Sequence, residues 1–187
     1  MHFHSVPLAI PDVILITPAR HADARGYFME TYRTSSFEEL GVRATFLQDS
    51  QSMSVERGTV RGLHFQRPPG TRAKLIRVLK GAIFDVAVDL RQGSKSFGNW
   101  ASATLSAEGG EQLFVPRGFA HGFCMLDYGT EVMYKCDAYY AAEHEGGIYF
   151  GDPLLAIDWP VTASEVVLAD RDRALPLFRD FVSPFVA

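Results

Sequence analysis

Between residues 74 and 136 the chain alternates apolar and polar residues in short runs, and turn formers separate the runs. Lys74–Leu79 and Ile83–Leu90 flank Lys80-Gly81-Ala82. In the second run Phe84, Val86, Val88 and Leu90 alternate with Asp85, Ala87 and Asp89, a period of two that predicts a strand with one buried and one polar face. Further strands are expected at Asn99–Leu105, Glu111–Val115, His121–Leu126 and Thr130–Cys136. Their separators are rich in turn residues: Gly93, Glu108-Gly-Gly110, Pro116-Arg-Gly118 and Asp127-Tyr-Gly129. Many short strands at this spacing predict an all-β antiparallel sandwich or barrel, and a jelly roll fits. Such a barrel has a mouth and an interior wide enough for a ligand. Polar side chains that face inward are costly unless they are paired or used.

The N-terminal part adds Val13–Thr17 as a strand stopped by Pro18, a polar loop from Arg20 to Gly26, and a second strand over Tyr27–Tyr32. Ser35-Ser-Phe-Glu38 has the form of a capping box, with the Ser35 oxygen on the amide of residue 38 and Glu38 reaching back. Gly41 supplies the stop of this one short helix. The last stretch, Ser164–Ala187, is mixed in character and is expected to pack against the outside of the barrel. No repeat or linker interrupts the chain, and 187 residues fit one domain spanning 1–187.

Apolar residues make up 47% and charged residues 21%, the balance of a globular protein. A net charge of −4 without any basic run argues against nucleic acid as a partner, yet leaves room for a local basic pocket. No apolar run approaches membrane-spanning length, and the start MHFHSVPLAIPDV lacks the basic head and apolar core of a signal peptide. The cytoplasm is the expected location. The two cysteines, Cys124 and Cys136, lie in apolar segments without a CxxC pair and read as buried hydrophobes.

Several residues are candidates for chemistry. In Arg61–Gln66, read as a strand, Gly62, His64 and Gln66 share one face and Arg61, Leu63 and Phe65 the other. His64 fits a general base or a satisfied core histidine, and as a base it needs a carboxylate partner such as Asp170 or Asp172. Lys74 opens a strand on the face of Ile76 and Val78, where it stabilises an oxyanion or phosphate if it faces inward, or snorkels to water. Tyr134 shares its face with Val132 and Cys136 and is also readable as a core aromatic. Arg20, Arg25, Arg61 and Arg72 fit a solvated surface or, acting together, a pyrophosphate clamp. A metal is not expected: His64 and His121 lack the His-x-His and Glu partners of metal-binding jelly rolls, and the His2/His4 pair sits at a terminus expected to fray.

Longer blocks carry a resemblance. Asp23-Ala-Arg-Gly-Tyr-Phe-Met-Glu30, Phe46-Leu-Gln-Asp49, Gly58-Thr-Val-Arg-Gly-Leu-His-Phe-Gln66, Lys74–Arg91 and Gly93-Ser-Lys-Ser-Phe-Gly98 are the first of them. Gln112-Leu-Phe-Val-Pro-Arg-Gly-Phe-Ala-His-Gly-Phe123, Tyr134-Lys-Cys136, Asp152-Pro153 and Ile157-Asp-Trp-Pro160 follow in order. Together, from about residue 8 to about residue 178, they resemble the dTDP-4-dehydrorhamnose 3,5-epimerase family of nucleotide-sugar epimerases. The resemblance implies a cupin-type jelly roll with a few short peripheral helices. It also implies a homodimer, no metal or organic cofactor, and a dTDP-linked 4-keto-6-deoxyhexose substrate inverted at C3 and C5.

On the same resemblance His64 is the base with Asp172 as its orienting partner and Asp170 as the fallback. Lys74 stabilises the enolate, Tyr134 is the opposite-face acid, and His121 lines the sugar pocket. Arg25, Glu30, Gln48, Arg61, Glu145 and Arg171 match positions that contact nucleotide, pyrophosphate or sugar, with Arg25 and Glu30 acting across the dimer. Two departures stand out: Ser50 where the family commonly has Asn, with a slightly longer loop to His64, and Arg171 where it often has Lys. Relatives that invert only C3 or only C5 keep nearly the same residues, so a monofunctional epimerase is the alternative. A metal-dependent cupin oxygenase is a more distant one.

Overall fold

Two walls of antiparallel strands enclose the interior in the computed structural model of the chain, which describes residues 2–187. The N-terminal part holds β1 (Phe3–Pro7), β2 (Ile14–Pro18), β3 (His21–Asp23), β4 (Gly26–Phe28) and helix α1 (Thr34–Glu39). The central strands are β5 (Gln48–Ser54), β6 (Thr59–Gln66), β7 (Lys74–Lys80), β8 (Ala82–Asp89), β9 (Arg91–Gln92) and β10 (Trp100–Ser106). After them come β11 (Gln112–Val115), β12 (Phe119–Met125), β13 (Thr130–Cys136) and β14 (Glu145–Gly147). The chain closes with β15 (Val167–Leu168), helix α2 (Asp170–Arg173) and β16 (Phe185–Val186). One sheet runs β1-β2-β11-β7-β13-β5; the other runs β10-β8-β12-β6-β14, with β15 parallel to β6. This is the all-β jelly roll that the alternation predicts, of the cupin-like type that the resemblance implies. No helix among the described residues is long and apolar enough to cross a membrane.

The interior core joins both sheets. Ile76, Val78, Leu113 and Val132 from one meet Ile83, Ala87, Leu105 and Met125 from the other. In β8 the expected polar face is therefore the inner one: Asp85 lies between Ile83 and Ala87 and is fully buried. The other face, with Val86, Val88 and Leu90, is covered by Leu63, Phe65, Ile148, Leu155 and Phe185. The strand is buried on both sides because the C-terminal third of the chain forms an outer layer over it. Each large apolar side chain sealed this way contributes about 1.5–3 kcal/mol.

Strand β6 departs from simple alternation. His64 pairs with His121 and Arg61 with Phe123, so Gly62 and Leu63 together stand opposite Gly122 alone. This bulge reverses the facing of the strand, and Arg61 and His64 end on the same side rather than on opposite faces. The bulge needs glycine twice. Gly62 has φ +142°, and a Cβ there would lie 2.5 Å from the Gly122 Cα. A Cβ on Gly122 would lie 2.9 Å from the Arg61 carbonyl oxygen.

Other expectations change at the N-terminus. The strand expected over Tyr27–Tyr32 is only β4, and the polar loop before it contributes β3, its hairpin partner. Beyond Phe28 the chain leaves the ladder, and the Thr31 carbonyl accepts from Gln112 Nε2 at 2.7 Å. His4 is not frayed, because β1 pairs along its length with β2. The capping box does not form: α1 starts at Thr34 with Arg33 as N-cap, no side chain caps it, and Ser35 lies inside the first turn. The frame is set by Phe37, which is buried with its ring 5.0 Å from Phe3 and 4.9 Å from Tyr32. Gly41 ends the helix as expected, with φ +91° and the Gly41 and Val42 amides donating to Glu38 and Phe37 carbonyls.

Candidate active site

At one end of the interior the apolar filling stops, leaving a cavity of about 610 Å³ between the sheets. Strands β5, β7 and β13 line one wall with Gln48, Ser50, Lys74 and Tyr134. Strands β6 and β12 line the facing wall with Arg61, His64, His121 and Phe123. The rim is built by Glu145, Tyr140, Arg72, the β15–α2 segment and Arg171.

His64 Nε2 lies 2.8 Å from Asp172 Oδ1. The C-terminal segment is therefore not only an outer cover. Pairing of Val167 and Leu168 with Thr59 and Val60 anchors it, and α2 turns Asp172 back into the cavity wall. Asp170, the alternative partner, stays exposed. Burial pushes the Asp172 carboxyl pKa up, but the hydrogen bond and charge of His64, the Gly62 amide and Arg171 outweigh it and hold it below the usual value. Asp172 is thus a carboxylate that accepts the Nε2–H, and this tautomer leaves Nδ1 as the basic nitrogen of the ring.

A second histidine–aspartate pair lies beside the first. His121 Nε2 is 2.6 Å from Asp85 Oδ1, and His121 Nδ1 is 3.4 Å from Lys74 Nζ. Burial depresses the His121 pKa against the pull of Asp85, so the ring is neutral, donates to Asp85 and accepts from Lys74. Burial, then the charge of Arg72, lowers the Lys74 pKa to about 8. Lys74 is still mostly an ammonium at neutral pH, but one held in a dry site where a nearby anion is strongly favoured. Tyr134 packs against the interior core, and its hydroxyl has no hydrogen bond among the described residues.

At the rim, Gln48 Oε1 accepts the Tyr140 amide at 2.9 Å, and the Tyr140 hydroxyl donates to Glu145 at 2.9 Å. Arg171 stands 3.8 Å from Glu145 and 3.6 Å from Asp172. Arg25 and Glu30 are not brought to this cavity. Arg25 has a side chain 90% exposed on the β3–β4 turn and pairs with Asp23, while Glu30 pairs with Arg33. Nor do the four arginines form one clamp. Arg20 stacks on Tyr27, and only Arg61 and Arg72 of that set line the cavity.

Sequence reasoning missed three contributors. Asp85 belongs to the face read as polar, and the structure turns it inward to pair with His121. Gln66 is buried and bonds two loops: its Nε2 donates to Gly70 O at 2.6 Å and Tyr139 O at 3.3 Å, and its Oε1 accepts the Ala141 amide at 2.8 Å. It fixes the loop carrying Arg72 against the loop carrying Tyr140. Tyr140 itself had no signal in the sequence. Among the described residues no three His, Cys, Asp or Glu side chains gather as metal ligands, and both cavity histidines commit a ring nitrogen to an aspartate.

A jelly roll whose interior ends in paired histidines, a buried lysine and a facing tyrosine is built as an acid–base enzyme. The family model for dTDP-4-dehydrorhamnose 3,5-epimerase matches residues 7–180, and the chain belongs to that family of carbohydrate isomerases. A curated dTDP-4-dehydrorhamnose 3,5-epimerase of Sinorhizobium fredii is 47% identical over 176 residues, spanning 94% of this chain and 89% of the relative. The crystal structure of the Bacillus anthracis dTDP-4-dehydrorhamnose 3,5-epimerase with TDP and PPi bound superposes with a TM-score of 0.91 at 48% identity, covering 94% of this chain and 99% of that one. The Legionella pneumophila dTDP-6-deoxy-D-glucose-3,5-epimerase in complex with dTDP-4-keto-L-rhamnose gives 0.90 at 42% identity, covering 95% and 94%.

Proposed function

We propose that this cavity inverts C3 and C5 of a nucleotide-linked 4-keto-6-deoxyhexose, converting dTDP-4-dehydro-6-deoxy-D-glucose to dTDP-4-dehydro-L-rhamnose. The observation that carries the reading is the placement of a carboxylate-oriented histidine, His64, on one sheet and Tyr134 on the facing sheet. A sugar ring held between them presents one face to each. His64 Nδ1 takes the proton from the carbon next to the C4 carbonyl, and the C–H electrons move onto the carbonyl oxygen as an enolate. The Lys74 ammonium stabilises that oxygen. The Tyr134 hydroxyl then delivers a proton to the opposite face, and the inverted C–H bond forms as the carbonyl returns. Exchange with solvent resets both groups. The carbonyl of the substrate supplies all the carbon acidity needed, so the chemistry calls for no cofactor.

The surroundings suit a nucleotide sugar. Although the whole chain is acidic, the cavity carries Arg61, Arg72, Lys74 and Arg171 against Glu145 and Asp172. Arg61 and Arg171 are planar donors suited to phosphate. His121, Gln48 and Glu145 offer polar contacts to sugar and nucleoside. Residues 1–187 act as one domain, and two free buried cysteines suit a reducing cytoplasm.

A homodimer completes this reading. The outer strands β1 and β5 and the β3–β4 hairpin expose Val6, Met53, Tyr27 and Phe28, apolar surface that a second copy would cover while bringing Arg25 and Glu30 to the cavity mouth. Light scattering is expected to give twice the chain mass of 20.8 kDa; an active monomer contradicts it. For the chemistry, incubation with the 4-keto substrate in D₂O, without added metal, is expected to place deuterium at C3 and C5. Exchange at neither carbon overturns the reading, and exchange at one carbon only makes the protein a monofunctional epimerase.

A further inference from the structure

Four cationic side chains line the cavity, and three of them are engaged. Arg61 donates from Nε to Ser54 Oγ at 3.0 Å and from a terminal nitrogen to the Met53 carbonyl at 3.2 Å. Arg171 stands near Glu145 and Asp172, and Lys74 is within reach of His121. Arg72 has no hydrogen bond or ion pair among the described residues, and its Nε is buried without a partner. The Tyr140 ring lies 5.5 Å from its guanidinium carbon. A buried donor on a cavity wall, in a fork that matches phosphate, calls for an anion from outside the chain.

Depth along the cavity says which part of the ligand that is. Lys74 is 8% exposed, Arg72 lies two residues before it in the half-buried lead-in to β7, and Tyr140 is 48% exposed at the mouth. A nucleotide sugar runs sugar, diphosphate, nucleoside. With the keto oxygen on Lys74 and the base near the Tyr140 ring, the diphosphate falls at Arg72. We propose that Arg72 binds the diphosphate of the nucleotide sugar and that this contact couples nucleotide binding to the charge on Lys74. The proposal rests on the reading of the cavity as a nucleotide-sugar site.

The coupling follows from the surroundings of Lys74. Burial and the Arg72 charge depress it to about 8, while Cys136, Asp85 and Glu145 oppose them. His121 packs against it as a neutral ring, and His64 and Tyr134 complete the wall. A diphosphate on Arg72 cancels the guanidinium's field and adds negative charge of its own, so Lys74 holds its proton more firmly once the nucleotide is in place. The ammonium that stabilises the enolate is then strongest in the loaded enzyme.

Calorimetry with dTDP alone on the full-length protein tests the contact, and the pH profiles of kcat/KM and kcat, which report the free and the loaded enzyme, together test the coupling. Arg72→Gln is expected to weaken dTDP about 10- to 100-fold, the range of a lost charge-assisted contact, with Arg72→Lys recovering part of it. In the wild type the basic limb of kcat/KM is expected near pH 8 and that of kcat above it. In Arg72→Gln the kcat/KM limb moves upward, because Lys74 loses a repelling cation, and the gap between the two limbs narrows. Unchanged dTDP affinity in both variants overturns the contact, and a kcat/KM limb that stays in place while affinity falls overturns the coupling. Either result is separate from the epimerase reading: dTDP binding needs no turnover, and wild-type protein that binds dTDP but never exchanges a proton sinks that reading while leaving the Arg72 contact standing.

Discussion

His64→Gln is expected to slow deuterium exchange at both C3 and C5 by about 10²–10⁴-fold, the contribution of a positioned proton carrier, while thermal stability stays close to wild type. Glutamine is the informative replacement because of Asp172. That carboxylate is buried and held in its charged form by His64, the Gly62 amide and Arg171. Alanine at position 64 would leave it short of a partner in a dry wall, and a buried group left without its hydrogen bond costs about 1–3 kcal/mol, more when it is charged. A lost fold would then be mistaken for lost chemistry. The glutamine amide reaches the position of Nε2 and still donates to Asp172, but it has no basic nitrogen. A glutamine variant that exchanges at the wild-type rate removes His64 from the reaction. One that unfolds at much lower temperature makes His64 a structural residue.

The strand content of this chain was legible because its runs are short, alternate with period two and end at glycine-rich turns; Thr130–Cys136 is found with the expected ends. Direction was harder to read than existence. In β8 the residues that looked solvent-facing point into the barrel, because the C-terminal layer seals the other side. Alternation fails where it matters most, between Arg61 and His64, since one extra residue in β6 turns both toward the cavity. Only the glycines at 62 and 122 hinted at that bulge, and their spacing carries no signal by itself.

Groups that act on the site from a distance were the least legible. Asp172 reaches His64 across 108 positions of sequence, and Asp85 reaches His121 across 36. Pairing of this kind is set by packing of whole layers and leaves no local pattern. The resemblance to a family named His64, Lys74, Tyr134 and Asp172 together, and the fold lines one cavity with all four and sets His64 2.8 Å from Asp172. The failed capping box shows the converse: a clear local motif at Ser35 gave way to burial of Phe37, whose aromatic contacts outweigh one cap of about 1 kcal/mol.

Tyr134→Phe is expected to separate two events that the wild type performs together. His64 remains oriented by Asp172, so proton removal continues and the enolate still forms over Lys74. With the phenol gone, the opposite face has no proton donor, and His64 returns a proton to the face it came from. Substrate recovered from D₂O should carry deuterium with its original configuration, while inverted product falls by about 10²–10⁴-fold. The ring itself packs against the interior core and its hydroxyl bonds no described residue, so the variant strands no buried partner and should melt close to wild type. If phenylalanine at this position leaves inversion intact, the acid lies elsewhere on that wall. If it stops exchange and inversion equally, Tyr134 takes part in removing the proton as well, and the two facing walls do not divide the work between base and acid.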